Sequence, residues 1–193
     1  FQNVGTSRPT SVTAPRPVTT TRRSVMVRGM GAGGGPGPSG SALGGQSLVD
    51  HVDGLTRLAR DIRSTGSVAI VQLHHAGNRS PKDLIGSDPV CPSDDPSTGA
   101  RALSTAEVEH LIDDFVAAAE RCYRAGFDGI ELHGAHGYMI CQFLSSELNR
   151  RDDQYGGSLE NRSRLLFDII DGVRARCGAD EHARAAAHLH DRV

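Results

Sequence analysis

Six side chains in two short stretches could do chemistry together in this 193-residue sequence. Gln72, His74 and His75 close the run Val68-Ala69-Ile70-Val71-Gln72-Leu73-His74-His75, and His133, His136 and Tyr138 lie within His133-Gly134-Ala135-His136-Gly137-Tyr138. Two imidazoles three residues apart supply N–H donors for an oxygen that gains negative charge. A phenol, with a free pKa of about 10, delivers a proton to carbon while that charge collapses. The set suits reduction of a polarised C=C bond, with the hydride drawn from a cofactor because no side chain carries one. Gln72 lies inside an apolar run, where an amide needs hydrogen-bond partners, so it either ties down a loop or holds a ligand. His74 and His75 point to opposite faces of a strand, so at most one meets a pocket, and loop capping is the simpler role for each. Glu131 reads as facing away from these groups. The competing chemistry is a metal-dependent hydrolase that joins His74 or His75 to His133 and His136, but no third ligand has a metal spacing such as H-E-x-x-H.

These residues need elements to position them. Ser47 with Asp50 starts a helix, and Leu48, Val52, Leu55, Leu58 and Ile62 recur at helical spacing until Gly66. The apolar run 68–73 reads as a strand buried on both faces, without alternation. A Pro-, Gly- and Asp-rich loop fills 74–103. Ser104 and Glu107 form a capping box with Leu103 and Val108 as its hydrophobic staple. Val108, Leu111, Ile112, Phe115, Val116, Ala119 and Cys122 then share a helical face, closed by Gly126. Phe127 to Leu132 is the second strand. Beyond a polar loop with Gly156 and Gly157, Leu165, Leu166, Ile169, Ile170 and Val173 mark a third helix, stopped by Gly178. The order α-β-loop-α-β-loop-α predicts parallel neighbouring strands, with the six residues gathered at the strand C-terminal ends.

Composition narrows the function classes. The formal charge is −2, so the whole chain has no electrostatic drive toward nucleic acid or an anionic membrane. The longest apolar run is five residues, at 115–119, whereas a membrane helix needs about 20. Cys91, Cys122, Cys141 and Cys177 are far apart and read as reduced thiols of a cytoplasmic protein. Residues 1–47 contain no Asp or Glu, and are rich in Arg, Gly, Pro, Ser and Thr. This segment is expected to be disordered or out of frame, as is the polar tail 181–193. Gly29, Gly31 and Gly34 spell G-x-G-x-x-G, with Asp53 downstream, but Gly35-Pro36-Gly37-Pro38 follows where a nucleotide-binding helix must start. The chain opens on Phe1 with no apolar signal core, which marks a processed or incomplete product.

The segments VAIVQLHHAGNRS and ELHGAHGYMICQFLSSELNRRDDQYGGSLENR resemble the Old Yellow Enzyme family of NADH:flavin oxidoreductases, and residues 48–180 follow it almost continuously. The resemblance implies an FMN-dependent TIM (β/α)8 barrel, reduced by NADH or NADPH, that passes hydride to a small-molecule activated alkene. By that resemblance Gln72 hydrogen-bonds the flavin, His133 and His136 hold the substrate's carbonyl oxygen, and Tyr138 donates the proton. The His-x-x-His form, rather than His-x-x-Asn, is similar to bacterial ene-reductases and relatives of dienoyl-CoA reductase. His74 stands where many members have Trp, and Asn78 where many have Arg.

A whole barrel needs about 250 residues. The sequence is therefore expected to be an α/β fragment, an incomplete barrel covering about strands three and four. As such it is expected to be a poor enzyme on its own. A non-catalytic remnant is the third reading, and no oligomeric state is readable.

Overall fold

The computed structural model describes residues 23–28, 52–178 and 184–188. The expected disorder of the rest of 1–47, the helix start at Ser47 and most of the polar tail lie outside the described residues.

The chain builds a parallel four-stranded sheet from β1 (Arg23–Arg28), β2 (Ala69–His74), β5 (Gly129–His133) and β6 (Arg184–His188), in the order β1-β2-β5-β6. The helices are α1 (Val52–Arg63), α2 (Lys82–Ile85), α3 (Thr105–Arg124), α4 (Met139–Leu144) and α5 (Leu159–Cys177). The expected parallel adjacency of the two central strands holds, with Val71 opposite Ile130 and Leu73 opposite Leu132.

The expectation of only two strands is corrected. β1 runs beside β2 from Arg23 opposite Ala69 to Arg28 opposite His74, and β6 runs beside β5. Both strands were hard to read. Ser24-Val25-Met26-Val27 is a very short apolar run between arginines, and Ala185-Ala186-Ala187 is made of a residue depleted in strands. Each gains its ladder from the stronger strand beside it.

A second correction concerns β2, which does alternate. Ala69, Val71 and Leu73 are almost wholly buried, while Ile70, Gln72 and His74 are half-buried. With Ile130 and Leu132 of β5, the buried set joins one core with Ala59 and Ile62 of α1, Val108, Phe115 and Ala119 of α3, and Leu165 and Ile169 of α5. The helices therefore cover one face of β2 and β5. The opposite face carries Gln72, His74, Glu131 and His133.

Local signals place the helices. Ser104 Oγ accepts from the Glu107 amide at 3.3 Å, and Glu107 accepts from the Ser104 amide at 2.8 Å, completing the capping box. Arg101, and then the Ser104 amide, hold the Glu107 carboxyl down at about 2. Leu103 and Val108 are both buried, and Gly126 takes a φ of 89° just past the helix end.

The long loop after β2 carries α2 and a small parallel pair, β3 (Val90–Cys91) and β4 (Arg101–Ala102). Arg151 pins this loop to the next one. It donates to Asp153 at 2.9 and 2.5 Å, to the Pro92 carbonyl at 2.9 Å and to the Leu103 carbonyl. The same guanidinium, with Thr105, holds the Asp153 carboxyl down at about 2. All four cysteines are buried free thiols, and no helix among the described residues is long and apolar enough to cross a membrane.

The contact of α3 with α5 rests on an absent side chain. A Cβ at Gly172 would stand 2.6 Å from Cγ2 of Val116, a buried β-branched residue with little rotamer freedom in a helix. Gly172→Ala should destabilise the fold by about 1–2 kcal/mol despite its better helix propensity. Urea unfolding measures the loss, and Val116→Ala in the same chain should recover most of it. Equal or greater stability of the single variant would contradict this packing.

Candidate functional site

Parallel pairing brings the two chemistry-bearing stretches to one place. Register sets Gln72 directly opposite Glu131, so both side chains leave the same face of the sheet. Gln72 Nε2 donates to Glu131 Oε1 at 2.8 Å. This corrects the expectation that Glu131 faces away. Glu131 and His133 are two residues apart on one strand, so strand periodicity itself puts them together. Gln72 Oε1 is buried and finds no hydrogen-bond partner among the described residues.

The rings gather just beyond this pair. His74 lies 5.2 Å from Tyr138 and 6.1 Å from His133, centroid to centroid. His133 lies 5.2 Å from Tyr138 and 5.1 Å from His136. His136 Nδ1 and His133 Nε2 approach to 3.2 Å. Between two neutral imidazoles, one of these nitrogens donates and the other accepts. An oxygen held by both requires a proton on each. The structure thus brings His133, His136 and Tyr138 together at the end of β5 and sets Gln72 on the same sheet face.

The two adjacent histidines at the end of β2 divide. His74 joins the ring cluster, which corrects its reading as a loop cap. His75 does cap the loop, since its Nδ1 accepts from the Gly77 amide at 3.0 Å and its carbonyl accepts from the Met139 amide at 3.0 Å. Among the described residues, no group of three His, Cys, Asp or Glu is arranged to hold a metal. The hydrolase alternative therefore lacks a ligand set there.

The loop that presents His136 is under strain. His136 has a φ of 57°, a left-handed conformation uncommon outside glycine, and Gly137 follows at 69°. Gln142 of α4 holds this turn and is wholly buried. Its Nε2 donates to the Gly137 carbonyl and to Asn78 Oδ1, each at 2.7 Å, and its Oε1 accepts from the Asn78 amide at 3.3 Å. A Cβ at Gly77 would stand 2.3 Å from the Gln142 amide, so only glycine lets the β2 loop close on it. Sequence reasoning missed Gln142. An amide within Met139-Ile140-Cys141-Gln142-Phe143-Leu144 is the same signal that marked Gln72, a polar group in an apolar run.

Known proteins resemble this chain. The profile of the NADH:flavin oxidoreductase / NADH oxidase family matches residues 37–187. An NADPH dehydrogenase of Clostridium acetobutylicum is 44% identical over 128 residues, which cover 64% of this chain and 37% of that protein. An NADH oxidase of Thermoanaerobacter brockii is 42% identical over 151 residues, 74% of this chain and 23% of that one. The solved structure of an old yellow enzyme homologue from Zymomonas mobilis superposes with a TM-score of 0.65 at 34% identity, covering 70% of this chain and 42% of that chain. The chain spans less than half the length of each of these relatives.

His75 gives the site a pH dependence of its own. Burial, and then the neighbouring His74, push its pKa down to about 4. In the unfolded chain the same imidazole binds its proton near its ordinary 6.5. Its contribution is therefore fully present above about pH 6.5 and drains away as pH falls toward 4. The urea midpoint should drop across that window, and His75→Gln should lessen the drop. An equal slope in the two proteins would remove His75 as its source.

Proposed function

The chain belongs to the NADH:flavin oxidoreductase / NADH oxidase family, and on that premise we propose that it carries part of the flavin and substrate site of an FMN-dependent NAD(P)H oxidoreductase acting on activated alkenes. In this reading the sheet is a section of a TIM barrel. β2 and β5 are about its third and fourth strands, β1 and β6 their neighbours, and the face with Gln72 and His133 is the barrel interior. Four buried free thiols fit a cytoplasmic protein.

One observation carries the reading: a buried acceptor at Gln72 with no partner among the described residues lies on one face of two adjacent parallel strands, and three imidazoles and a phenol cluster at their C-terminal ends. Parallel α/β folds collect ligands at those ends. The residues fit FMN. Its isoalloxazine ring carries an imide N–H, and Gln72 Oε1 is an acceptor lacking a donor among the described residues. When bound, FMN supplies the hydride that reduces the alkene, after taking it from NADH or NADPH. His133 and His136 hold the carbonyl oxygen that activates the alkene, and their N–H groups stabilise its negative charge as the double bond is reduced. The Tyr138 hydroxyl gives its proton to the neighbouring carbon. His74, packed against Tyr138, limits how far the phenol swings.

Titration of FMN with the chain, read by quenching of flavin fluorescence, tests the cofactor. The proton donor is tested in FMN-loaded protein by stopped-flow absorbance. Tyr138→Phe should leave flavin reduction by NAD(P)H nearly unchanged and slow the alkene half-reaction by about 10²–10⁴-fold. Equal alkene rates in the two proteins would take the proton-donating role from Tyr138.

A further inference from the structure

The pairing of Gln72 with Glu131 has a direction, and the direction matters for what Gln72 offers a ligand. A glutamine amide has an acceptor end and a donor end of nearly the same shape, and it can turn over in its site. A carboxylate only accepts. The end of Gln72 that lies 2.8 Å from Glu131 Oε1 is therefore the NH₂ end, and the carbonyl oxygen is the end left over. That oxygen is buried and without a partner among the described residues, a state that costs stability unless a ligand satisfies it. The register of β2 and β5 holds the two residues opposite one another, so the contact is built into the sheet.

We infer that Glu131 is a positioning residue that locks the Gln72 amide with its carbonyl oxygen presented to the cofactor, so that the site selects a ring bearing an imide N–H. The inference rests on the flavin reading for the identity of that ring. The locked orientation itself does not. Without the carboxylate, the amide chooses between two orientations. With a donor in its place, the amide turns over and meets the ring N–H with its own N–H.

Two substitutions separate this from a charge effect. Glu131→Gln permits both orientations, and Glu131→Lys imposes the reverse one. FMN carries an anionic phosphate, so charge alone predicts tighter FMN binding as the negative charge is removed and then inverted. Orientation predicts the opposite order. FMN dissociation constants, read by fluorescence quenching, should rise about threefold in Glu131→Gln and at least about tenfold in Glu131→Lys, the latter matching the loss of one hydrogen bond. Nitrogen-15 NMR of the chain without FMN reads the lock directly. One Gln72 side-chain amide proton should exchange slowly with solvent in the parent, faster in Glu131→Gln, and without protection in Glu131→Lys.

Thermal melts by circular dichroism report folding, and if Glu131→Lys does not fold, the exchange rates of Glu131→Gln decide. Equal Gln72 exchange in parent and folded variants overturns the inference. So does FMN binding by Glu131→Lys as tight as the parent's or tighter. A parent chain that binds no FMN counts against the functional reading alone, and the exchange rates still decide the lock.

Discussion

The register between β2 and β5 is the constraint on which the site depends. Side chains alternate with a period of two, so a slip of one residue exchanges the faces of a strand. In β2 a slip would drive Gln72 and His74 into the helix-packed core and lift Val71 and Leu73 out of it. The apolar cost of that exchange falls on residues that are almost fully buried. Val71 and Leu73, with Ile130 and Leu132, thereby fix where the polar side chains point without touching any ligand. The same four residues make the sheet two-sided, with the apolar core on the helix face and the polar cluster on the other.

A second layer of constraint acts on the loops beyond the strands. The ring cluster needs the turn at His136 and Gly137 to stay where it is, although its left-handed backbone is unfavourable for a histidine. Gln142 and Asn78 counter that cost with hydrogen bonds that reach across from α4 and from the loop after β2. Met139 adds a tie to the His75 carbonyl. The two strand ends are therefore joined by several hydrogen bonds outside the sheet. His75 takes part only as a neutral group, because burial keeps the proton off it.

Much of this was legible from residue types and spacing. The capping box at Ser104 and the glycine stop at Gly126 are local signals, and the structure uses both. Gln72 was found because an amide in an apolar strand demands an explanation. His133, His136 and Tyr138 were singled out because three donors crowd one strand end, and the structure brings their rings together. The losses have physical causes. Glu131 was misjudged because His133 was treated as lying past the strand, and the parity that joins them was not carried through. His74 and His75 are neighbours of one type, and only packing decides which becomes a ring partner and which a cap. Gln142 lay in a stretch read as loop. β1 and β6 hold too few apolar residues to announce themselves, since edge pairing and not intrinsic preference makes them strands.

The backbone at residue 136 also narrows the chemical alphabet available there. A φ of 57° is tolerated by glycine and, among residues with side chains, most readily by asparagine, aspartate and histidine. On the proposed reading, glycine has no side chain to reach the substrate oxygen, and an ionised aspartate would repel it. Two residue types are left that both accept the fold of the turn and offer an N–H: histidine, as here, and asparagine, as in the His-x-x-Asn form that this sequence does not follow. Drift at this position is thus steered by torsion angles before it is judged by catalysis. A lineage can trade a ring donor for an amide donor in a single replacement, without rebuilding the turn.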